Sequence, residues 1–154
     1  MMHQSIYRNL FGMMMIILSK THLSEISFES RQSYPYECCG ALLGHVLPNQ
    51  DKQVVSCISL VNHSDEDQRR RFKVTDKDYQ LLEKKALDLN LTLLGFYHSH
   101  PDHPAIPSQT DLNYAWPFFS YIIQSVTDSE HRDIKSYILS EKMMTFVEEK
   151  IRFE

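Results

Sequence analysis

The sequence predicts a single α/β domain in which helices flank a mixed β-sheet. Apolar runs of strand length alternate with segments of helical periodicity along most of the chain. Three further strand-like runs then follow one another, joined only by polar turns. Neither a repeat nor a Pro-, Gly- or Ser-rich linker interrupts the 154 residues, which suit one domain. The resulting order, β-α-β-β-α-β-α-β-β-β, indicates an α/β or α+β sandwich, of which we expect the α/β class.

The N-terminal part of this domain is predicted to contain three strands and one helix. Thr21 is the expected N-cap of the helix, and Leu23, Ile26 and Phe28 supply its partial apolar stripe. A Tyr-Pro-Tyr sequence is expected to end it. The predicted ranges are a strand over 14–19, a helix over 21–33, and strands over 38–46 and 53–61.

The C-terminal part begins with the clearest helix of the sequence. Thr75 and Asp78 resemble a capping box, and Leu81, Leu82 and Leu89 follow helical spacing. A strong central strand follows, and then a short helix that stops before a proline. The predicted ranges are a strand over 91–98, a helix over 108–116, and strands over 118–126, 134–139 and 144–151.

Composition and charge exclude several classes of protein. Hydrophobic residues make up 42% and charged residues 23%, which is ordinary for a globular protein. The net charge is -4, and the basic run at 69–71 follows three acidic residues at 65–67, so nucleic acid is not an expected partner. We expect this charged segment to be a solvated hairpin or loop. Three cysteines without CxxC spacing indicate a reducing cytoplasm and buried, non-nucleophilic thiols.

The N-terminus carries an apolar run over 10–18 that could be mistaken for a targeting segment. It is shorter than the roughly 20 residues that a membrane-spanning helix needs. No A-x-A-like cleavage site follows it, so a secretory signal is not expected either. We predict that residues 1–13 are a disordered leader or lie upstream of the true start, and that 14–154 form the domain. No membrane association is expected.

The string HSHPDHPAIPSQTD at 98–111 predicts a metal site. Side chains alternate along a strand, so His98 and His100 project to the same side, and the loop that follows returns Asp111 toward them. Three protein ligands leave the fourth tetrahedral position for water, which distinguishes a catalytic zinc from a structural one. We therefore predict one zinc ion per chain. Non-heme iron, which uses the same classes of ligand, is the alternative.

Hydrolysis at such a site needs a group that accepts a proton from water and passes it to the leaving amine. Glu37 is the candidate, because it directly precedes the buried-looking strand CCGALLG. The alternative is that Glu37 is a solvated residue at a strand start. The sequence spacing does not decide between the two.

Ser108 also has two interpretations. Ser108-Gln-Thr-Asp111 matches the [ST]-x-x-[DE] pattern of a helix N-cap. The same hydroxyl could instead donate to the oxyanion that forms when a carbonyl is attacked. Asp111 is ambiguous in the same way, between cap partner and ligand, and the upstream histidines favour the ligand.

These positions together resemble the JAMM motif of the MPN-plus zinc peptidases. The motif positions are Glu37, His98-Ser-His100-Pro and Ser108-x-x-Asp111. YPYECCGALLG is similar to the segment that bears the family's catalytic glutamate, and LLGFYHSHPDHPAIPSQTD is similar to its metal-binding segment. The likeness extends over about residues 14–151. The compact size and the doubled cysteine after the glutamate resemble the prokaryotic branch.

The resemblance implies roles for these residues. His98, His100 and Asp111 would bind zinc, Glu37 would be the general acid/base, and Ser108 would stabilise the oxyanion. The fold would be the cytidine-deaminase-like sandwich of the family. The resemblance therefore favours the catalytic interpretation of Glu37.

It also implies a substrate. Prokaryotic relatives act on ubiquitin-like sulfur-carrier proteins, so we expect a zinc metallopeptidase that cleaves the amide or isopeptide bond after a C-terminal Gly-Gly. One alternative is a non-catalytic MPN-type scaffold or protein-binding module, although such members typically lack part of the ligand set. Another is a zinc deaminase, whose H-x-E and P-C-x-x-C signatures are missing here. A homodimer is neither required nor excluded by the sequence.

Overall fold

The structure is a computed structural model that describes residues 14–62 and 74–154. The predicted leader and the charged segment at 65–71 lie outside the described residues. Within them, the predicted order of strands and helices is confirmed. The elements are β1 (Met15–Leu18), α1 (Lys20–Ser33), β2 (Cys39–Val46), β3 (Lys52–Leu60), α2 (Asp76–Asp88), β4 (Thr92–Pro101), α3 (Gln109–Asn113), β5 (Ser120–Val126), β6 (His131–Ser140) and β7 (Thr145–Phe153).

The strands form one mixed sheet, as predicted. Its spatial order is β1-β3-β2-β4-β5-β6-β7, and β1 also pairs with β7, so the sheet closes on itself. The β1–β3, β1–β7 and β4–β5 pairs are parallel, and the other pairs are antiparallel. β4 lies between antiparallel β2 and parallel β5.

The two long helices cover opposite faces of this sheet. Ile26 of α1 packs with Leu42 and Leu94 in one buried cluster. Leu82 of α2 packs with Phe96 in another cluster, together with other residues of β2, β4 and β5. Because successive side chains of a strand point to opposite faces, the two clusters share the same strands without mixing.

Helix α1 begins one residue earlier than predicted. Ser19, and not Thr21, is its N-cap: the Ser19 Oγ accepts a hydrogen bond from the His22 amide at 3.0 Å. The expected apolar stripe is also partly wrong, since Phe28 is 57% exposed. The face that packs on the sheet carries Ile26 and, one helical turn further on, the buried Ser30. Serine hydroxyl groups thus take the place of part of the predicted apolar stripe. The Ser30 hydroxyl donates a hydrogen bond to the Ile26 carbonyl at 2.7 Å.

Helix α2 begins as predicted, with Thr75 as its N-cap in a complete capping box with Asp78. Its buried face is narrower than the sequence suggested. Leu82 and Ala86, four residues apart, are buried, whereas Leu81 is 58% exposed. The expected inward position of Leu89 is wrong as well, because this side chain is 51% exposed at the C-cap. Among the described residues, no helix has the length and apolar character needed to cross a bilayer.

Strand β4 is longer than predicted and continues through Pro101. Pro101 lies opposite Val126 of β5, and the next amide, that of Asp102, donates to the Val126 carbonyl at 2.8 Å. The amide hydrogen that a proline lacks would point to the other side of the strand. On that side the pairing of β4 with β2 stops at His98, so no hydrogen bond is lost there. The strand therefore carries both His98 and His100 within a paired ladder rather than at a loose end.

Helix α3 ends at Asn113, three residues before the predicted end. Tyr114 is its C-cap, and the amide of Trp116 donates to the Tyr121 hydroxyl at 2.8 Å, which turns the chain toward β5. The remaining strand boundaries lie within three residues of the predicted ones, the usual uncertainty of predicted element ends.

Candidate metal centre

Three potential ligands meet at the end of β4. The Nε2 atoms of His98 and His100 are 3.1 Å apart. The two carboxylate oxygens of Asp111 lie 3.3 Å from His98 Nε2 and 3.4 Å from His100 Nε2. Among the described residues, no other set of three His, Cys, Asp or Glu side chains lies close enough to share a cation. We call His98, His100 and Asp111 the metal centre below.

The fold explains this convergence. His98 and His100 lie on the same face of β4 as Phe96, because side chains two residues apart point the same way. Asp111 lies in the first turn of α3 and reaches back across the loop that joins the two elements. Two hydrogen bonds to this loop fix its path: Ser125 Oγ donates to the His103 carbonyl, and Tyr137 OH donates to the Ala105 carbonyl, each at 2.6 Å.

A further hydrogen bond sets the tautomer of His100. Its Nδ1 lies 2.9 Å from the carbonyl oxygen of Pro104. A carbonyl oxygen can only accept, so Nδ1 carries the hydrogen and the neutral ring presents a lone pair at Nε2. Metal-binding histidines are commonly oriented by such a contact at the other ring nitrogen.

The electrostatics of the centre favour a bound cation. Burial alone would raise the pKa of Asp111, but the charge of His98 and hydrogen bonds from both imidazoles hold it well below its usual range. Burial lowers the pKa of His98, which is only 1% exposed. For His100 burial also acts to lower the pKa, but the hydrogen bonds with Asp111 and with the Pro104 carbonyl outweigh it and raise the pKa. The Asp111 carboxylate is therefore ionised, and its negative charge favours a cation at the centre.

The donor set fits a divalent metal ion. Two imidazole nitrogens and one carboxylate are the ligand types of three-ligand catalytic sites. They converge from rigid elements, β4 and the capped start of α3, and both histidines are buried. A divalent ion bound there would also offset the charge of Asp111, which is costly to bury without a partner.

Glu37 lies beside this centre and is buried, with 6% of its surface exposed. It is therefore not the solvated strand-start residue that the sequence left open. It lies two residues before β2, whose first residue, Cys39, lies opposite His98 in the antiparallel ladder. The negative charge of Glu37 is also one of the contributions that raise the pKa of His100. Sequence positions 61 residues apart are thus brought together.

Ser108 is the N-cap of α3 and is exposed at the surface. Its Oγ accepts a hydrogen bond from the Asp111 amide at 3.0 Å, and its own amide donates to Asp111 Oδ2 at 2.8 Å. The capping interpretation is thus observed. It does not compete with an oxyanion role, because the hydroxyl accepts through a lone pair and keeps its hydrogen to donate. Asp111 likewise serves as cap partner and as a member of the metal centre at once.

Two contacts around the centre were not predicted from the sequence. The Ser99 hydroxyl, between the two histidines, accepts a hydrogen bond from the Cys38 amide at 2.9 Å. The Tyr34 hydroxyl donates to Asp102 Oδ2 at 2.8 Å. Both join positions more than 60 residues apart, and only the serine inside HSHP offered a signal in the sequence.

The cysteines are free thiols, and Cys38 and Cys39 are buried as predicted, whereas Cys57 is only half-buried. Burial raises the pKa of Cys38 to about 11 and that of Cys39 to about 12. Burial also raises the pKa of Cys57 to about 12. A thiol whose pKa is raised holds less thiolate at neutral pH and reacts more slowly.

We therefore expect the native protein to resist thiol alkylation. At pH 8, iodoacetamide should modify Cys38, Cys39 and Cys57 at least about tenfold more slowly than an unfolded thiol of ordinary pKa near 8.5. Mass spectrometry of timed samples measures this rate, with the protein in guanidinium chloride as the control. Rapid native modification, or loss of activity in step with it, would contradict this account.

Comparison with known proteins identifies the family. The sequence profile of the prokaryotic homologs of the JAB domain matches residues 19–138, so the chain belongs to this family. The matched range includes all the residues of the metal centre and Glu37.

Individual relatives agree with this assignment. The desampylase of Haloferax volcanii is 29% identical over 92 residues, which are 59% of this chain and 63% of the desampylase. The match thus spans less than two thirds of that relative's length.

Solved structures are similar over almost the whole chain. A protein from Desulfitobacterium hafniense is 29% identical, with a TM-score of 0.78 over 91% of this chain and 93% of its own. A protein from Salinibacter ruber is 35% identical, with a TM-score of 0.70 over 91% of this chain and 92% of its own. A JAB1/MPN domain protein from Archaeoglobus fulgidus is 21% identical, with a TM-score of 0.56 over 90% of this chain and 99% of its own, and it supports the fold alone.

Proposed function

We propose that this chain is a zinc-dependent metallopeptidase that hydrolyses the amide or isopeptide bond after the C-terminal Gly-Gly of a ubiquitin-like protein. The convergence of His98, His100 and Asp111 beside a buried glutamate carries the proposal. The desampylase relative supports hydrolysis of ubiquitin-like conjugates. A ubiquitin-like sulfur-carrier protein is the more specific substrate that we propose.

The chain's own residues divide the work. His98, His100 and Asp111 would hold one zinc ion, which when bound supplies Lewis acidity and makes water more acidic. Glu37 would take up the proton that water loses and deliver it to the leaving amine. Because Glu37 is buried, bulk water does not compete for that proton.

Ser108 would donate its hydroxyl hydrogen to the carbonyl oxygen as negative charge develops there. The capping bonds support this role, because they hold the serine in a fixed position at the start of α3. Ser108 is also exposed, which supports a role in contacting a substrate carbonyl.

Two finer assignments belong to the same proposal. The closed mixed sheet with a helix on each face suits a cytidine-deaminase-like sandwich, which the resemblance implied. Free cysteines suit a reducing cytoplasm. The set of three ligands is complete, which counts against the alternative of a non-catalytic scaffold. No contact among the described residues supports that alternative.

The test uses a ubiquitin-like sulfur-carrier protein with a short peptide fused after its Gly-Gly. We expect mass spectrometry to show cleavage after the second glycine, loss of cleavage after chelation, and recovery on adding one equivalent of zinc. A matched fusion with Val-Val in place of Gly-Gly should stay intact. Cleavage that persists in chelator would contradict the zinc mechanism. Zinc-loaded protein that cleaves neither this fusion nor an isopeptide-linked conjugate would favour the scaffold.

A further inference from the structure

Beyond the residues that would meet the substrate, the structure assigns Ser99 and Tyr34 a positioning role: we propose that they hold Glu37 in place against the metal centre. The proposal rests on the function proposed above, since it concerns the same site. Neither residue belongs to the metal centre. Each instead ties the segment that carries Glu37 to the strand or loop that carries the histidines.

Ser99 lies between His98 and His100, yet its side chain points to the opposite face of β4. It is fully buried, so its hydroxyl must find a partner inside the protein. That partner is the Cys38 amide, which donates to Ser99 Oγ at 2.9 Å. The Ser99 amide in turn donates to the Cys38 carbonyl at 3.1 Å. Two hydrogen bonds thus join the residue after Glu37 to the residue between the histidines.

This pair of bonds extends the sheet where it would otherwise end. The regular pairing of β2 with β4 stops at Cys39 and His98. Beyond it, a side-chain hydroxyl rather than a backbone carbonyl accepts the Cys38 amide. Removing the hydroxyl would leave a buried amide without this acceptor, and the backbone next to Glu37 would move to find another.

Tyr34 ties down the other end of the same segment. Its hydroxyl donates to Asp102 Oδ2 at 2.8 Å, and Asp102 is two residues beyond His100. Asp102 is itself fixed, because its amide donates to the Val126 carbonyl of β5 at 2.8 Å. Its φ of 57° is a left-handed conformation that aspartate and asparagine tolerate better than most residues. The segment from Tyr34 to Cys38 is therefore held at both ends.

The position of Glu37 matters because proton transfer requires hydrogen-bond reach. A displacement of about 1 Å can lower a rate by on the order of 10²-fold. A buried carboxylate on a short segment between two elements would be displaced in this way if either end were released. Ser99 and Tyr34 would therefore affect kcat without touching substrate or metal.

The first test compares Ser99→Ala with Ser99→Thr in the zinc-loaded protein. We expect Ser99→Ala to lower kcat by roughly 10–100-fold, with KM and zinc stoichiometry unchanged. Ser99→Thr, which keeps the hydroxyl, should recover most of kcat. NMR should show that the Cys38 amide exchanges at least about tenfold faster in Ser99→Ala and that the Glu37 carboxyl carbon signal shifts.

The second test releases the exposed end, where misfolding is not a concern. Tyr34→Phe should lower kcat by about 3–10-fold, the loss expected for one hydrogen bond. Asp102→Asn, which keeps an acceptor and tolerates the same φ, should retain kcat. Asp102→Gly suits the left-handed backbone but lacks the acceptor, so its kcat should match that of Tyr34→Phe. The double variant Tyr34→Phe/Asp102→Gly should lose no more kcat than either single variant, because both remove the same hydrogen bond.

Several results would overturn the proposal. One is a wild-type kcat in both Ser99→Ala and Tyr34→Phe. Another is a loss of kcat that follows a loss of zinc, since the two residues would then act on the ligands. If Ser99→Ala does not fold, the kcat values of Tyr34→Phe, Asp102→Asn and Asp102→Gly test the proposal instead. If the wild type hydrolyses no conjugate, the proposed function fails, and an unchanged Cys38 exchange rate and Glu37 signal would independently overturn the positioning role.

Discussion

Glu37→Gln should abolish most hydrolysis while leaving the metal bound. Glutamine has nearly the same shape, but its amide can neither take up nor deliver a proton. Loss of a general acid/base typically lowers the rate by about 10²–10⁴-fold, and we expect kcat to fall within that range. Zinc content should stay near one per chain, because Glu37 is not part of the metal centre. Steady-state kinetics and metal analysis of the same sample measure both quantities.

Glu149→Gln is the matched control for this prediction. Glu149 is the other described glutamate that is buried, with 4% of its surface exposed, and it accepts a hydrogen bond from Ser136 Oγ at 2.8 Å. It belongs to β7, away from the metal centre, and burial raises the pKa of its carboxyl. Its amide variant should keep a kcat near that of the wild type. Undiminished turnover in Glu37→Gln would remove Glu37 from the mechanism.

The second large effect concerns Asp111. Asp111→Asn keeps an oxygen that can accept the Ser108 amide hydrogen bond, so α3 should remain capped. It removes the negative charge of the metal centre. We expect zinc affinity to fall by more than the roughly 10–100-fold that is typical when a residue supporting a ligand is changed. Competition with a chelating dye measures this affinity directly.

The same loss should be visible in thermal stability. Zinc at 1,000 times its Kd stabilises the folded state by about 4.1 kcal/mol, which corresponds to roughly 10 °C in the Tm of a chain of this size. Asp111→Asn should show little of this increase. His103→Ala changes an exposed histidine in the loop between β4 and α3, and this variant should show the full zinc-dependent increase in Tm. A wild-type Tm that is insensitive to zinc, or equal zinc binding in Asp111→Asn, would contradict the metal centre.

Local patterns in the sequence predicted much of the fold. Thr75 and Asp78 form the expected capping box because the interaction depends only on residues within one turn. His98 and His100 share a face because alternation is a property of any strand. The order of elements followed from hydrophobic periodicity in the same way.

The errors arose where tertiary packing decides. Phe28 and Leu81 are apolar and fit a helical stripe, but the sheet covers a neighbouring face of each helix and leaves both exposed. The predicted strand ended at residue 98, yet β4 continues through Pro101, which β5 still pairs with because the missing amide hydrogen faces the other side. The contacts of Ser99 and Tyr34 join distant segments, so no local pattern predicts their partners, although Ser99 lies within the HSHP motif.

The pairing of β1 with β7 has a consequence for how the chain is made. Ile16 lies opposite Ile151, so this ladder can form only after the residues up to β7 have left the ribosome. Until then β1 and β6 each lack one neighbour, and such open edges invite pairing with other nascent chains. Contacts of such large sequence separation also slow folding. Closure of the sheet by β7 is therefore a late event. Before it, the edges of β1 and β6 are unpaired, and we expect aggregation to be most favourable in that period.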